Sequence, residues 1–336
     1  MVRRFAGTAV VLGLIGLVAT AVLLWWLPAN DFLFVPDRAK PLADKVVVQG
    51  AQNPADGDVY YVDLFVRRIR KLEKLLPFTR PDGSTFVPDE RLTPDGTSDA
   101  ERDRQNAEDM RRSERIAAVV ALGALGYDVK ATPSGVLVTS VYTNVPAAKV
   151  LEANDVIVGV NGVAVRTPAE LRREIGRVTP GSDLRLSIRR GGKLQDVTVR
   201  TIPNPQDPSR AVVGILVDQD AKIELPIDVD IDLGRVGGPS AGLPFALEIA
   251  RKLGRDVTHG CRIAATGALA LDGTVIPIGG VKQKTIGARR ADVDFFLVPV
   301  GENARDARAN AKGLPIIPVE SFQQALRKLA TTRVKC

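Results

Sequence analysis

A serine beside a glycine-rich turn is the strongest candidate for chemistry in this sequence. Ser240 follows a Gly-Gly-Pro run and precedes residues 244–253, whose apolar spacing predicts a helix. Near a helix amino terminus, unpaired backbone N–H groups and the helix dipole favour negative charge, which a nucleophile with a developing oxyanion requires. Serine is also a favoured helix N-cap, so this segment alone leaves the catalytic and the structural interpretation equally open. The predicted nucleophile turn and oxyanion region consists of Gly238, Pro239, Ala241 and Gly242.

A second segment, residues 275–284, supplies a candidate base for that serine. A lysine can act as a base if burial lowers its pKa from about 10.4 toward 7 or 8. Lys282 and Lys284 follow an apolar stretch and two glycines, so a side chain from this segment can point inward. Because residues two positions apart in a helix project about 200° apart, at most one of the lysines faces the site. Together the two segments predict a serine–lysine peptidase mechanism.

The composition excludes several other kinds of site. His259 is the single histidine, so zinc sites with two histidines are impossible, and a Ser-His-Asp triad would have to use this residue. Cys261 and Cys336 are the two cysteines, so there is no disulfide framework, although a location outside the cytoplasm would permit one bridge. The sequence has no P-loop motif, and no aromatic residues interleave with its net charge of +7. We therefore expect no metal, no cofactor, no nucleotide and no nucleic-acid partner.

The amino terminus predicts a membrane anchor. Residues 5–27 carry no charged side chain, and this run is long enough to cross a bilayer. Arg3 and Arg4 precede the run and two tryptophans lie at its far end, so the positive-inside rule places residues 1–4 in the cytoplasm. The lipid bilayer would then be a partner, with the bulk of the chain outside the cytoplasm. A cleaved signal peptide is the alternative, although its apolar core is usually only about 7–15 residues long.

The middle of the chain resembles a bacterial PDZ domain. Strands are predicted at residues 136–141, 156–160, 184–189 and 196–200, with a helix at 168–177. The resemblance is carried by residues 135–138, 145–148, 154–157 and 161–162. PDZ domains bind an extended peptide by adding it as a strand to an exposed sheet edge. The resemblance implies a peptide-binding turn at Gly126, Tyr127, Asp128 and Val129. A small sandwich that acts only as a spacer is the alternative.

The residues around the serine and the lysine resemble the proteolytic domain of the Lon family. The matching segments are 238–242, 266–269, 275–284 and 299–303. The resemblance implies that Ser240 is the catalytic nucleophile, that Lys284 is the catalytic base, and that the hydroxyl of Thr266 helps to position the lysine. An acidic residue is often found three positions before the serine in ATP-dependent members, and Gly237 stands there in this chain. The implied substrates are proteins or peptides.

Other elements are predicted on either side of the PDZ-like segment. Strands are expected at residues 45–49, 58–65 and 227–233, helices at 67–76 and 109–125, and a long surface loop at 79–106. In the strand at 227–233, apolar residues alternate with Asp228, Asp230 and Asp232. This alternation favours one buried and one solvated face over a calcium site, whose ligands converge from a curved loop.

The expected fold class is α+β, a Lon-type proteolytic domain with an inserted PDZ domain, preceded by one transmembrane helix. The predicted divisions are a cytoplasmic tip at 1–4, the membrane helix at 5–27, a linker and first part of the Lon-like domain at 28–125, the PDZ domain at 126–203, and the catalytic part at 205–336. This order resembles the membrane-anchored, PDZ-containing Lon-like proteases of bacteria, which have no ATPase module. A homo-oligomeric ring is implied by analogy alone.

One alternative from a different class of protein fits the same segments. A catalytically silent peptide-binding scaffold at the membrane surface would explain the PDZ-like part, but not the matching serine and lysine segments. A penicillin-binding enzyme would need a lysine three residues after Ser240, and that position is a leucine, so this class is excluded.

Overall fold

The computed structural model describes residues 2–51, 56–92, 98–234, 236–331 and Cys336, with side chains for these residues apart from 2–11, 90, 91 and 101. The helices are α1 (Val2–Trp26), α2 (Lys71–Leu75), α3 (Asp89–Leu92), α4 (Asp99–Ala124), α5 (Pro168–Ile175), α6 (Gly242–Lys252), α7 (Val281–Arg290), α8 (Glu302–Asn310) and α9 (Phe322–Thr331).

The first half of the strands are β1 (Pro28–Pro36), β2 (Lys40–Pro41), β3 (Val46–Val48), β4 (Asp58–Tyr61), β5 (Leu64–Arg70), β6 (Thr85–Val87), β7 (Lys130–Val141), β8 (Val156–Val160), β9 (Val163–Ala164) and β10 (Asp183–Arg190). The others are β11 (Lys193–Arg200), β12 (Ile202–Asn204), β13 (Asp207–Val212), β14 (Ile215–Glu224), β15 (Val229–Ile231), β16 (Arg262–Ala265), β17 (Ala268–Leu269), β18 (Val275–Ile276), β19 (Phe295–Pro299) and β20 (Ile316–Val319). They form sheets with the orders β5-β1-β6, β11-β10-β8-β7-β14 with β9 against β8, β12-β13, β15-β3, β2-β4-β16-β19-β20 and β17-β18.

A largely parallel sheet lies at the centre of one half of the protein. β4, β16, β19 and β20 run parallel, and β2 joins β4 antiparallel at the edge. Ile263, Ala265 and Leu297 pack with α4 and α6 in one apolar layer. Ala264 and Phe296 point the other way and pack with α7 and α8. Because helices cover both faces, apart from the first residues of β4 and β16 these strands are apolar, and the carboxyl ends of the parallel strands lie at one edge of the sheet.

A separate apolar core lies in the antiparallel sheet formed by β7, β8, β10, β11 and β14. Alternate residues of β10, namely Leu184, Leu186 and Ile188, point into this core and pack with Leu171 of α5. α5 starts at a capping box, in which Thr167 and the third helical residue bond each other's backbone N–H groups. The strands and the helix predicted for the PDZ-like segment are confirmed, and β14 adds a further strand from beyond residue 203.

α4 is longer than the sequence predicts. It begins at Asp99 instead of residue 109, so the prediction that the loop extends to residue 106 is wrong. The loop prediction is also wrong where the structure has β6 and α3. The amino-terminal half of α4 is polar and shows no apolar period, which is why the periodicity misses it. Asp99 binds Arg68 at 3.1 Å and Arg102 at 3.0 Å, whereas the carboxyl-terminal half is held by apolar contacts with α6.

The strand predicted at residues 58–65 is divided between two sheets. β4 pairs with β16 in the parallel sheet, while β5 pairs antiparallel with β1. Val62 and Asp63 lie between the two strands, at the carboxyl end of β4. The basic helix predicted at residues 67–76 is correspondingly short, because β5 continues to Arg70 and α2 begins only at Lys71.

The alternation predicted at residues 227–233 is confirmed. Val229 and Ile231 are half-buried against the core next to the parallel sheet, and Asp230 between them is exposed. β15 pairs antiparallel with β3, so this strand has one packed and one solvated face.

α1 covers most of the predicted membrane segment. Its described apolar side chains are largely exposed, for example Leu17 at 70% and Trp26 at 77%. The segment after α1 is tied to α2, because the backbone N–H of Lys71 donates to the carbonyl of Leu27 at 2.9 Å. Within the residues that the structure describes, no helix has both the length and the apolar character needed to cross a membrane.

Cys261 and Cys336 form a disulfide, with their Cα atoms 5.3 Å apart. The bridge that the sequence permits is therefore present. It joins the residue before β16 to a position 75 residues further along the chain.

Candidate active site

The nucleophile turn leads into α6. Pro239–Ala241 form a 3₁₀ turn that continues directly into the helix at Gly242. Gly238 has φ 88° and ψ 160°, a conformation that residues with a Cβ rarely adopt. The ring of Pro239 then restricts φ at the first residue of the turn. Ser240 is thereby held at the amino end of α6, as the sequence predicts.

The carbonyl of Ser240 ties this turn to the end of β16. Its oxygen accepts hydrogen bonds from the backbone N–H of Gly267 at 2.9 Å and from Thr266 Oγ1 at 3.1 Å. The N–H of Leu243 in α6 donates in return to the carbonyl of Gly267 at 3.0 Å. Because β16 belongs to the parallel sheet, these bonds fix the serine relative to a rigid element.

α7 carries the lysine that faces the serine. Lys284 is 3% exposed, while Lys282 is half-buried, in agreement with the expectation that at most one of the two points inward. Nζ of Lys284 donates to Ser240 Oγ at 2.5 Å and to Thr266 Oγ1 at 3.3 Å. The structure therefore brings together the three side chains Ser240, Lys284 and Thr266 that the sequence singles out.

Burial changes the acid–base behaviour of the lysine. It lowers the pKa of Lys284 from 10.5 to about 8, because the buried ammonium loses its hydration, and the negative charge of Asp63 acts in the opposite direction. With a pKa near 8, about one lysine in ten is neutral at pH 7. A neutral amine within hydrogen-bonding distance of a hydroxyl can accept its proton.

A chain of charged groups leads away from the lysine. Oδ2 of Asp63 accepts from Lys40 Nζ at 3.2 Å, and Lys40 also donates to Asp37 at 2.7 Å. Oδ1 of Asp63 is buried without a hydrogen-bond partner among the described residues. Burial raises the pKa of Asp63, while the charge of Lys40 lowers it. Sequence reasoning missed Asp63, although it follows β4 as Thr266 follows the neighbouring parallel strand β16.

α4 supports the nucleophile turn through two further contacts. Oγ of Ser113 donates to the carbonyl of Pro239 at 3.0 Å, and the carbonyl of Asn106 accepts from the N–H of Gly238 at 2.8 Å. The packing is close, since a Cβ on Gly242 would lie 3.1 Å from Ser113 Oγ. Sequence reasoning assigned no role to Asn106 or Ser113. Ser113 precedes Pro239 by 126 residues, so no local pattern indicates the contact.

Only some backbone N–H groups of the predicted oxyanion region are free to donate to an oxyanion. The N–H of Gly238 is bonded to Asn106, the N–H of Gly242 is bonded to the carbonyl of Pro239, and proline has no N–H. Of the predicted turn, the amides of Ser240 and Ala241 remain as candidate donors to an oxyanion.

The predicted peptide-binding turn leads into β7, which pairs with β14 along its length and with β8 only at residues 136–137. Gly126 follows the end of α4, the N–H of Tyr127 donates to the carbonyl of Leu122 at 3.0 Å, and Asp128 and Val129 continue to β7. β7 lies between β8 and β14 in the sheet. No contact among the described residues tests peptide binding at Gly126 to Val129, which stays a prediction. The sheet edge on that side is β14, whose pairing partner is far away in the sequence.

One group in the described part of the chain has three potential metal ligands close together, namely Cys261, Asp294 and Cys336. The two sulfur atoms are joined in the disulfide, so neither is a thiolate that could bind a metal.

Two protein families match this sequence. Residues 182–331 match the family described as Lon protease (S16) C-terminal proteolytic domain, and residues 123–201 match the family described as PDZ domain. The matches overlap at residues 182–201, where β10 and β11 belong to the antiparallel sheet.

The relatives are similar to part of the chain. The Lon protease of Desulforamulus reducens is 35% identical over 116 residues, which cover 34% of this chain and 13% of that protein. Lon protease 1 of Sorangium cellulosum is 38% identical over 95 residues, which cover 28% of this chain and 12% of that protein. This chain thus spans about an eighth of the length of these relatives.

Among solved structures, the PDZ domain of the SdrC-like protein from Listeria monocytogenes is 28% identical, with a TM-score of 0.24, and covers 26% of this chain and 92% of that one. The PDZ assignment rests on the family match and not on this similarity. Apart from β14, the strands of the antiparallel sheet lie in the PDZ match, and the nucleophile turn, β16 and α7 lie in the Lon match. Residues 123–201 are thus similar to PDZ domains, and residues 182–331 are similar to the C-terminal proteolytic domain of Lon proteases (S16).

Proposed function

We propose that this chain is a serine endopeptidase that uses Ser240 and Lys284 as a dyad and needs no ATP. The observation that carries the proposal is the hydrogen bond of 2.5 Å between Lys284 Nζ and Ser240 Oγ, formed by a lysine with a lowered pKa. The sequence has no P-loop motif, so no nucleotide-driven step is included.

Each residue has a defined task in the proposed reaction. Neutral Lys284 takes the proton from Ser240 Oγ, which attacks a peptide carbonyl, and the resulting ammonium gives its proton to the leaving amine. The Thr266 hydroxyl keeps Nζ in position, since it bonds both that atom and the Ser240 carbonyl. The amides of Ser240 and Ala241 hold the oxyanion of the tetrahedral intermediate. Water then hydrolyses the acyl-enzyme with Lys284 again acting as the base.

The proposed substrates are flexible or already unfolded proteins and peptides. Nothing in this mechanism pulls a folded chain apart, so the substrate must reach Ser240 in an extended form. The PDZ domain would recruit substrates or control access to the site, because PDZ sheets capture extended peptides at an edge. A homo-oligomeric ring stays a prediction from the family resemblance.

The proposed catalytic unit is discontinuous. Residues 28–125 and 205–336 would form it, with the PDZ domain of residues 126–203 inserted between them. A shared apolar core supports this division, since residues of α4 such as Ala117 pack with Phe245 of α6 and Ile263 of β16.

A serine-directed covalent probe tests the dyad without a known substrate. An active-site fluorophosphonate should label Ser240, as mapped by mass spectrometry, and Lys284→Ala should reduce the labelling rate strongly because the base is lost. Lys282→Ala is the matched control on the same helix and should label at the normal rate. Labelling that is unaffected by Lys284→Ala would refute the dyad.

We also propose that residues 5–27 anchor the chain in a bacterial cell membrane, with residues 1–4 in the cytoplasm and the catalytic part outside. The support is the uncharged run preceded by Arg3 and Arg4. The disulfide agrees with an oxidising compartment. Cells that express the full chain should retain it in the membrane fraction after an alkaline wash, with its cysteines resistant to a thiol reagent. A soluble chain with two reactive thiols would contradict the anchor.

A further inference from the structure

β14 is the outer strand of the PDZ sheet, and the backbone carbonyl of one of its residues already accepts a hydrogen bond from a side chain. The N–H of Gln219 donates to Asp218 Oδ1 at 2.7 Å, and the carbonyl of Gln219 accepts from Arg112 Nη2, also at 2.7 Å. Arg112 belongs to α4, which is outside the PDZ sheet. A peptide that added to β14 at this position would compete with Arg112 for the carbonyl of Gln219.

The guanidinium of Arg112 is held by charge as well as by this carbonyl. It lies 3.4 Å from a carboxylate oxygen of Asp218 and 3.4 Å from one of Asp220. Asp220 is shared, because it also binds Arg189 at 2.7 Å and Ser134 at 2.7 Å. The bond from Arg112 to the carbonyl of Gln219 is therefore charge-assisted. If a competing group replaces Arg112, Asp220 still has Arg189 and Ser134 as partners.

The next residue on α4 holds the nucleophile turn. Ser113 donates to the carbonyl of Pro239, directly before Ser240, and Asn106 accepts from Gly238 two helical turns earlier. Neighbouring residues of a helix project about 100° apart. One turn of α4 thus contacts both the PDZ edge strand and the turn that carries the nucleophile.

Arg112 has room to leave its position. A cavity of about 280 Å³ lies between α4 and the PDZ sheet, and Arg112, Arg115, Asn154 and Arg189 are among its lining residues. Coupling between two sites requires an element with two arrangements that both sites influence. Arg112 lies beside open space and next to the tightly packed Ser113, so this turn of α4 fits the requirement.

We propose that Arg112 and Ser113 act as one link through which the state of the PDZ edge strand β14 sets the position of the nucleophile turn. When Arg112 is bonded to the carbonyl of Gln219, α4 keeps its position and Ser113 donates its hydrogen bond to the carbonyl of Pro239. A peptide strand that takes the carbonyl of Gln219 releases Arg112 and loosens the turn. Ser113 is a positioning residue, and the inference rests on the proposed peptidase function.

Kinetics of casein cleavage by the full chain test the link. Arg112→Ala should lower kcat about 3- to 30-fold with little change in KM, since the link acts on the nucleophile and not on substrate binding. Arg112→Lys should restore part of the lost kcat. Arg112→Ala combined with Ser113→Ala should be no slower than Ser113→Ala alone, because the two residues act in series.

Arg115→Ala is the matched control. Arg115 lies on the same helix and lines the same cavity, but among the described residues it forms no hydrogen bond with β14 or the nucleophile turn. The effect of Arg115→Ala on kcat should be small. In the double variant with Ser113→Ala, the fold-changes of the two single variants should multiply, as expected for independent sites.

Hydrogen exchange gives a readout that does not depend on turnover. The amide of Gly238 is protected by its bond to Asn106, and Arg112→Ala should speed its exchange several-fold at an unchanged melting temperature, whereas Arg115→Ala should not. Unchanged exchange at Gly238, or effects of Arg112 and Ser113 that multiply, would overturn the link. If the wild-type chain cleaves nothing, the proposed function fails, and the exchange measurement still decides the link.

Discussion

One buried amine determines how the candidate site responds to pH. Lys284 Nζ is within hydrogen-bonding distance of Ser240 Oγ and Thr266 Oγ1, and burial lowers its pKa to about 8. A general base is most effective when its pKa lies near the working pH, and an exposed lysine would be almost fully protonated there. The same burial that positions the amine thus makes it available as a base.

The rate of cleavage should therefore follow the neutral fraction of Lys284. We expect kcat to rise as pH increases and to level off above about 8, because only the deprotonated amine can accept the serine proton. Asp63→Asn should move the midpoint to lower pH, since the negative charge of Asp63 favours the ammonium. The measurement is kcat against pH for both proteins. A midpoint near 10.5, or one that moves upward in the variant, contradicts the assigned base.

Lys284 should also lower the free energy of unfolding at neutral pH. Below a pH of about 8 the folded chain holds a buried ammonium, so Lys284→Met should raise the free energy of unfolding by about 2–3 kcal/mol at pH 7 while abolishing activity. Between about 8 and 10.5 the unfolded chain binds a proton that the folded chain has released, so wild-type stability rises with pH and the advantage of the variant shrinks. Denaturant unfolding at several pH values checks this. An advantage that grows with pH would contradict it.

The sequence was sufficient to find some residues of the site and insufficient for others. Ser240, Thr266 and Lys284 lie in short segments whose composition already indicates a turn, a helix start and an inward-facing lysine. Ser113 and Asp63 carry no such local signal. Their importance comes from pairing between β4 and β16 and from packing of α4, which join parts of the chain more than a hundred residues apart.

At the level of elements, α7 positions Lys284 by close packing against the backbone before β2. A Cβ on Gly287 would lie 2.0 Å from the carbonyl oxygen of Asp37, and the carbonyl of Gly287 accepts from the N–H of Ala39 at 3.1 Å. α7 can approach this segment only because residue 287 has no side chain.

Gly287→Ala should therefore displace α7 and the lysine with it. We expect a loss of at least about 1–3 kcal/mol in unfolding free energy and a larger relative loss of kcat, because the dyad distance increases. Gly123→Ala is the control in α4, where nothing lies within 4 Å of the new methyl group, and it should stabilise the protein by about 0.5–1 kcal/mol. Chemical unfolding and casein cleavage of both variants test this. Full activity in Gly287→Ala would contradict the packing argument.

The elements that sequence reasoning misjudged depend on contacts between distant parts of the chain. α4 was predicted too short because its first turns are charged and are stabilised by ion pairs instead of an apolar face. The strand at residues 58–65 was predicted as one piece because both halves are apolar, yet they join different sheets. The pairing of β14 with β7 was not predicted, because the two strands lie far apart in the sequence.

On the scale of the whole molecule, the disulfide joins Cys336 to the start of the central sheet. It closes a loop of 75 residues that contains Thr266, Lys284 and the last three helices. A cross-link of this length restricts the unfolded chain and typically contributes about 2–4 kcal/mol.

Cys336→Ala should lower the free energy of unfolding by roughly that amount, with kcat nearly unchanged at temperatures where the protein stays folded. Wild-type protein treated with a reductant should behave like the variant, and the variant should not respond to the reductant. Melting temperatures with and without reductant test this. A variant that is as stable as the oxidised wild type would contradict a stabilising role for the bridge.

If Ser240 and Lys284 together cleave peptide bonds, the purified chain should cleave casein without ATP. Ser240→Ala and Lys284→Ala are measured beside the wild type, with Lys282→Ala as the matched control and circular dichroism to verify folding. We expect cleavage by the wild type and by Lys282→Ala, and none by the two dyad variants. Cleavage that persists in folded Ser240→Ala or Lys284→Ala, or its absence from the folded wild type, would contradict the dyad mechanism.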